Sequence, residues 1–375
     1  MDLHIRAYFV ANPLPVVEKI LRRAQKARTR WENVTSLTIN MTHRILMEQG
    51  PAPAVDVHGE RIVQIANMFV DVFPNMRKLK FDAPYKNEHT SPLYGTLANI
   101  YSQQLQELVS FPPIPASAIS FSSQLTRLEI GPGNQSSYQL PRAVVASLVD
   151  LTLYGMRADY NWCDLDSSSS RPIVFANLKR LWVFYKTGNP AAVSIDTRAP
   201  ARLEFPVLDM LYYSCEDDNL RFLSNARLPT QMSSVRLKGT YKMFQIIHST
   251  TLPRVNDLAL TVVRNDGCSA SALFGTISQI FEQSKIRFGH EILIDDRSLV
   301  LNPTDVVCPR LTKLRITAPT SAETVLAIIS RFPCLQELAL HNFAPQQIPA
   351  EIPADALVNG NAVILAPFAT KLNTL

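Results

Sequence analysis

Few residues in this chain have the types and spacing that chemistry requires. His290-Glu291 begins a zinc-helix pattern, but Ile294 stands where the second His is needed. Asp56-Val57-His58-Gly59-Glu60 brings three metal-competent side chains into one short stretch, and it reads as a solvated loop or helix start. Gly131-Pro132-Gly133 follows a strand-like segment, as a phosphate cradle would. Ser136 replaces the third Gly, however, and no helix opens there, so an ordinary turn is expected. Glu216-Asp217-Asp218 reads as a turn leading into a first helical turn, with a cation or basic peptide as the alternative. His4, His43, His89, His248 and His341 are isolated. The expectation is a protein without catalysis, cofactor or metal.

Net charge is +5, and hydrophobic and charged residues make up 46% and 18% of the 375. That is enough apolar material for a continuous core and excludes global disorder. The positive excess sits in one place: Lys19, Arg22, Arg23, Lys26, Arg28 and Arg30 against Glu18. Val17, Ile20, Leu21, Ala24 and Trp31 form an apolar stripe at helical spacing on the same segment, with the cations opposite. An exposed helix face accounts for this. The alternatives are contact with an upstream module or a patch for anionic lipid or nucleic acid. The remainder is nearly neutral, so a nucleic-acid partner is not expected. No signal-peptide pattern and no membrane-length apolar run occurs. Cys163, Cys215, Cys268, Cys308 and Cys334 are scattered without a C-x-x-C pair, as reduced thiols would be in a cytoplasmic or nuclear protein.

The elements that must position any site are set by a recurring phrase: an apolar residue, two variable ones, Leu, one variable, then another apolar residue. It occurs at Met76/Leu79/Phe81, Leu125/Leu128/Ile130, Leu148/Leu151/Leu153, Leu178/Leu181/Val183, Leu208/Leu211/Tyr213, Val255/Leu258/Leu260, Leu311/Leu314/Ile316 and Leu335/Leu338/Leu340. Weaker copies are Val34/Leu37/Ile39 and Met232/Val235/Leu237, and a degenerate one lies near Ile292-Leu293-Ile294. Helical periodicity precedes many of them: Pro13 to Trp31, Ile62 to Val70, Leu93 to Leu108, Ala143 to Leu148, Ala272 to Phe281 and Thr324 to Ile329. Pro before several strands stops the preceding helix and fixes strand entry. A period of 3.6 switching to 2 every ~20 to 40 residues predicts an α/β repeat array. Polar insertions are expected at Tyr160 to Arg171, Lys186 to Arg202 and Pro345 to Pro353. No linker divides the chain, so residues 1–375 are expected to form one array. Its ends at Met1 and Leu375 look cut, because neither supplies a polar capping unit.

These L-x-x-L-x-L strands with variable helical backs resemble leucine-rich repeats of irregular length. The phrasing at Phe73-Pro74, Phe205-Pro206, Leu252-Pro253, Cys308-Pro309 and Phe332-Pro333 is most similar to the repeat region of fungal F-box-type proteins. The likeness covers residues 30–375. It implies a horseshoe-shaped solenoid with a parallel concave sheet and helices on the convex side. It further implies substrate recognition for a ubiquitin ligase, with a cullin-ligase adaptor held by an F-box. Leu14-Pro15-Val16-Val17-Glu18 only faintly echoes the start of that module, which would therefore lie upstream of Met1. The Asn or Cys of the repeat consensus is replaced by Pro84, Gly133, Met156, Lys186, Glu216, Thr240, Val263, Pro319 and Phe343, so the turns must be closed by other groups.

Strand alternation sends the repeat leucines inward and the residues between them to the opposite face. On that face the sequence places Tyr154, Arg180, Trp182, Phe184, Tyr212, Arg236, Lys238, Lys313 and Arg315, with Glu107, Glu129, Asp150, Asp257 and Glu337 nearly cancelling the cations. Tyr154, Trp182, Phe184 and Tyr212 form a cluster of the kind that dominates protein–protein contacts, unless a loop covers it. The expected function is non-catalytic recognition of a protein partner. A scaffold unrelated to ubiquitination, or an anionic-ligand binder using the basic helix, are the alternatives.

Overall fold

The computed structural model describes residues 2–6, 14–27, 31–40, 59–82, 91–110, 123–131, 140, 142–156, 172–185, 202–215, 226–248, 253–264, 269–283, 290–294, 311–317, 325, 328, 332, 334–340 and 363–365. The protein is α/β with a large parallel sheet. By its internal contacts the chain divides into two compact units, Met1–Leu181 with Ser194–Val207, and Trp182–Val193 with Leu208–Leu375.

In the first unit, strands β1 (Asp2–Arg6), β2 (Ser36–Asn40), β3 (Lys78–Asp82), β4 (Glu107–Ser110), β5 (Arg127–Ile130) and β6 (Asp150–Met156) pair in parallel, each with the next. The two-residue strand β7 (Ile173–Val174) pairs in parallel with β9 (Leu203–Glu204), and β8 (Arg180–Tyr185) lies between them in the chain. Parallel neighbours need a crossover, and helices α1 (Leu14–Lys26), α2 (Gly59–Val72), α3 (Ser91–Ile100) and α4 (Arg142–Ser147) lie on those from β1 to β2, β2 to β3, β3 to β4 and β5 to β6. In the second unit, β10 (Met210–Cys215), β12 (Gln231–Thr240), β13 (Arg254–Arg264), β14 (His290–Ile294), β15 (Lys313–Ile316) and β16 (Glu337–Leu340) pair in parallel in that order. The short β11 (Ala226–Arg227) precedes β12, and β17 (Val363–Leu365) closes antiparallel on β16. Helix α5 (Tyr241–His248) lies on the crossover from β12 to β13 and α6 (Ala270–Gln283) on that from β13 to β14.

Register aligns the phrase across strands. Leu37, Leu79, Leu108, Leu128 and Leu151 are register partners in turn, and all are buried. Leu237, Leu260, Ile292, Leu314 and Leu338 do the same in the second unit. Each such side chain contributes about 1.5–3 kcal/mol on leaving water. The helices cover this face with their own stripes: Ile62, Ile65, Ala66 and Phe69 on α2, and Leu273, Phe274, Ile277 and Ile280 on α6, all buried at helical spacing. Phe81 of β3 stacks on Tyr94 of α3 at 4.3 Å. Ser269 caps α6 by accepting from the Ala272 N–H at 3.2 Å.

Two expectations are corrected. The helix predicted over Pro13 to Trp31 ends at Lys26, and Ile20 and Trp31 of its apolar stripe are exposed, so only Val17 and Leu21 of the large residues are buried. The helix predicted over Leu93 to Leu108 ends at Ile100, and Leu108 belongs to β4. Leu105 and Leu108 hold the first two positions of the phrase with Ser110 at the third, and a spacing of three also suits a helix, which hid the change of period.

The missing consensus Asn has a physical counterpart at the entry to the strands. At four places in the first unit a polar residue directly before the phrase reaches back to a carbonyl of the preceding turn: Asn75 to Glu32 (3.0 Å), Gln104 to Pro74 (2.9 Å), Ser147 to Leu125 (2.7 Å) and Asn177 to Ala146 (2.7 Å). The backbone adds its own ladder, because a single carbonyl accepts from two successive N–H groups of the next repeat. Thr35 O takes Arg77 and Lys78 at 2.8 and 3.0 Å, Gln106 O takes Thr126 and Arg127 at 2.9 and 3.1 Å, and Thr312 O takes Gln336 and Glu337 at 2.7 and 3.0 Å. At the other strand end, Gly239 in β12 sits where a Cβ would come within 2.7 Å of the Cys215 carbonyl, so close approach to β10 requires Gly there.

Candidate recognition surface

The sheet face opposite the helices carries the side chains between the buried leucines. In the first unit these form a ladder of alternating charge. Lys78, Glu107, Arg127 and Asp150 are successive register partners on β3 to β6. Lys78 bonds Glu107 at 2.5 Å, Arg127 lies 4.0 Å from Asp150, and Arg180 reaches Asp150 at 3.0 Å. Arg127 also pairs with Glu129 at 3.3 Å, and the Tyr154 hydroxyl donates to Glu129 at 3.2 Å. Arg180 and Tyr154 are thus engaged within the sheet itself.

The second unit brings the aromatics together. Trp182 and Phe184 on β8 and Tyr212 on β10 are half-buried. Trp182 stacks on Tyr212 with ring centroids 5.1 Å apart and planes 12° from parallel, and Phe184 meets Tyr212 at 4.8 Å. Burial pushes the Tyr212 hydroxyl above its ordinary pKa, and the nearby Arg236 guanidinium opposes that shift. Arg236 is the register partner of Tyr212, and Lys238 that of Ser214. Among the described residues neither Arg236 nor Lys238 has a carboxylate partner. The opposite holds for Arg315, which lies 3.4 Å from Glu291 and 3.1 Å from Glu337, while Lys313 lies 3.5 Å from Glu337. Arg315 is three strands from Lys238, through Thr261 and Leu293, and so stands apart from the aromatic cluster.

Of the eight face residues singled out from the sequence, the fold gathers Trp182, Phe184, Tyr212, Arg236 and Lys238. It places Tyr154 and Arg180 in the first unit and ties Arg315 into a neutralised network. Strand alternation made the face readable; the pairing of charges depends on register between strands, which one repeat alone does not encode.

A second charged feature lies on the helices. Glu18 of α1 is gripped by two guanidiniums, Arg22 at 2.7 Å and Arg61 of α2 at 2.9 Å, and these hydrogen bonds hold its carboxyl below the usual range. With Lys19, Arg23 and Lys26 they line a shallow groove of ≈ 430 Å³. Arg28 and Arg30 lie outside the described residues.

Among the described residues the sites of possible chemistry do not assemble. The Gly131 N–H donates to Ser110 O at 2.6 Å, so it is spent in the sheet. Glu291 is paired with Arg315. The stretches at Asp56–Glu60 and Glu216–Asp218, the three predicted insertions, and His43, His89 and His341 lie wholly or largely outside the described residues. Among the described residues no group of three His, Cys, Asp or Glu side chains could hold a metal ion, and no helix is long and apolar enough to cross a membrane. No protein-family model matches this chain, and neither a curated protein nor a solved structure matches it significantly.

Proposed function

We propose that this chain is a non-catalytic recognition protein, a solenoid of irregular leucine-rich-type repeats that holds a protein partner against the concave face of its sheet, opposite the described helices. The observation that carries the reading is the Trp182–Phe184–Tyr212 cluster beside Arg236. Rigid aromatics and arginine supply most of the energy at protein–protein contacts, because they bring large area for little lost side-chain freedom. Half-burial is the exposure such anchors need.

The resemblance to the repeat region of fungal F-box-type proteins gives the reading a concrete form: substrate recognition for a ubiquitin ligase inside the cell, with a cullin-ligase adaptor engaged through an F-box. That form rests on fold-level analogy alone. Affinity capture from cell extract with the full-length open reading frame, beside a Trp182→Ala/Tyr212→Ala variant, tests both levels. Recovery of adaptor subunits plus a protein lost in the variant supports the substrate receptor. A stable partner without adaptors leaves a scaffold outside ubiquitination, and a partner set unchanged by the variant removes the aromatic face from the account.

A second reading has its own observation, the cationic groove around Glu18. It would serve an anionic lipid or nucleic acid, and a steep salt dependence of binding to vesicles or oligonucleotides would favour it.

A further inference from the structure

We propose that the segment held at the aromatic patch is acidic: a peptide that sets Asp or Glu side chains beside an aromatic or aliphatic anchor. The inference rests on the protein-recognition reading above and goes further by naming the chemistry of the partner.

Charge bookkeeping on the second unit's open face points to it. Lys313, Arg315, Glu291 and Glu337 neutralise one another through three ion pairs. Arg236 and Lys238 have no such partner among the described residues, and Asp257, one strand over and half-buried, pairs with neither. Among the described residues two positive charges therefore stand uncompensated, two residues apart on one strand and about 7 Å from each other. On one side they adjoin the Trp182–Tyr212 stack, through the register pair Tyr212–Arg236. On the other side their register partners are Ala259 and Thr261, which bring no opposing charge. An apolar anchor lying on the stack would bring carboxylates from the same strand of peptide into reach of both cations, where they gain charge-assisted hydrogen bonds. A nucleic acid also stacks on aromatics, but it carries a phosphate at every step and needs a track of cations to follow it. Two cations, bounded on β14 to β16 by a neutralised network, match a short acidic segment instead.

The test is selection of a random-peptide display library on the whole protein, repeated on Arg236→Gln/Lys238→Gln and on Trp182→Ala, with oligothymidylate as a separate probe by fluorescence anisotropy. Both glutamine substitutions remove exposed or half-buried cations without an ion pair, and circular dichroism checks that the variant is folded. The proposal expects enriched peptides with Asp or Glu flanking one large apolar residue, binding at least about tenfold weaker to the Arg236/Lys238 variant and weakening as salt rises. Enriched peptides without acidic residues, acidic peptides that bind the glutamine variant equally, no enrichment at all, or tight binding of oligothymidylate would each overturn it. The two levels separate cleanly. A captured partner lost with Trp182→Ala/Tyr212→Ala but kept by the glutamine variant sinks only the acidic-segment proposal, whereas one kept by both sinks the recognition reading.

Discussion

Trp182 on β8 and Tyr212 on β10 stack with their ring planes 12° from parallel and centroids 5.1 Å apart, on the sheet face opposite the described helices. Stacking of this kind is worth about 0.5–1.5 kcal/mol beyond the area buried. Both rings remain half-exposed, so truncation forfeits part of a core residue's contribution. Trp182→Ala should lower stability by about 1–2 kcal/mol in urea denaturation, against about 2–5 kcal/mol for Leu258→Ala on the covered face of the same unit. A loss of about 3 kcal/mol or more for Trp182→Ala would place the ring in the core.

The alternating ladder in the first unit depends on sign. Asp150 is half-buried and serves both Arg127 and Arg180. Asp150→Lys would set three cations side by side, and like charges on adjacent strands repel. The expected cost is about 1–2 kcal/mol, shrinking at high salt, while Asp150→Asn costs less than about 1 kcal/mol because exposed ion pairs are weak. Adding Arg180→Glu to Asp150→Lys should recover part of the loss. Equal stability of the Lys and Asn variants would mean that the ladder is incidental.

Much of the architecture was readable because the phrase has two periods that physics keeps apart. Leu128 and Ile130, or Leu314 and Ile316, alternate with polar residues and could only be strands with one covered face. The β14 strand was legible from Ile292 and Ile294 alone. Where spacing was ambiguous the reading failed: Leu105 and Leu108 continue the apolar rhythm of α3, so β4 was absorbed into a helix. Helix α5 was missed although Met243, Phe244 and Ile247 carry its buried stripe, because two long strands flank it closely. On the open face, alternation exposed the aromatics, but which cations remain unpaired follows from strand register. The stitching residues had a signal that was overlooked, a polar Asn, Gln or Ser directly before the phrase.

That stitching predicts a specific weakness. Asn177→Ala removes the amide that donates to Ala146 O at 2.7 Å and should cost about 0.5–1.5 kcal/mol. Asn177→Asp, which keeps the shape but loses the N–H donors, should cost at least as much. An aspartate variant as stable as the parent, measured by the same urea titration, would show that the hydrogen bond does not hold the turn.

Tyr101 ties two repeats together by donating its buried hydroxyl to Phe73 O at 3.0 Å. Burial raises its pKa far above the ordinary tyrosine value, and the Asp71 carboxylate adds to the shift. The folded state therefore keeps this proton while the unfolded chain releases it above about pH 10. The stabilising contribution is complete below that pH and is lost as pH rises toward the folded pKa. Tyr101→Phe should cost about 1–2 kcal/mol at pH 7 and flatten part of the alkaline decline. Tyr185 and Tyr213, raised by burial in the second unit, should retain their share of that decline. An unchanged alkaline slope in Tyr101→Phe would contradict the assignment.

The central claim is that the aromatic face is where the partner sits. Hydroxyl-radical footprinting of the free protein and of its affinity-captured complex addresses it most directly, since Trp182, Phe184 and Tyr212 are half-exposed while Tyr213, next to them in the chain, is buried. A partner seated on this face should leave Trp182, Phe184 and Tyr212 oxidised in the free protein and protected several-fold in the complex, with Tyr213 unreactive in both. Equal oxidation of the three rings with and without the partner would contradict it.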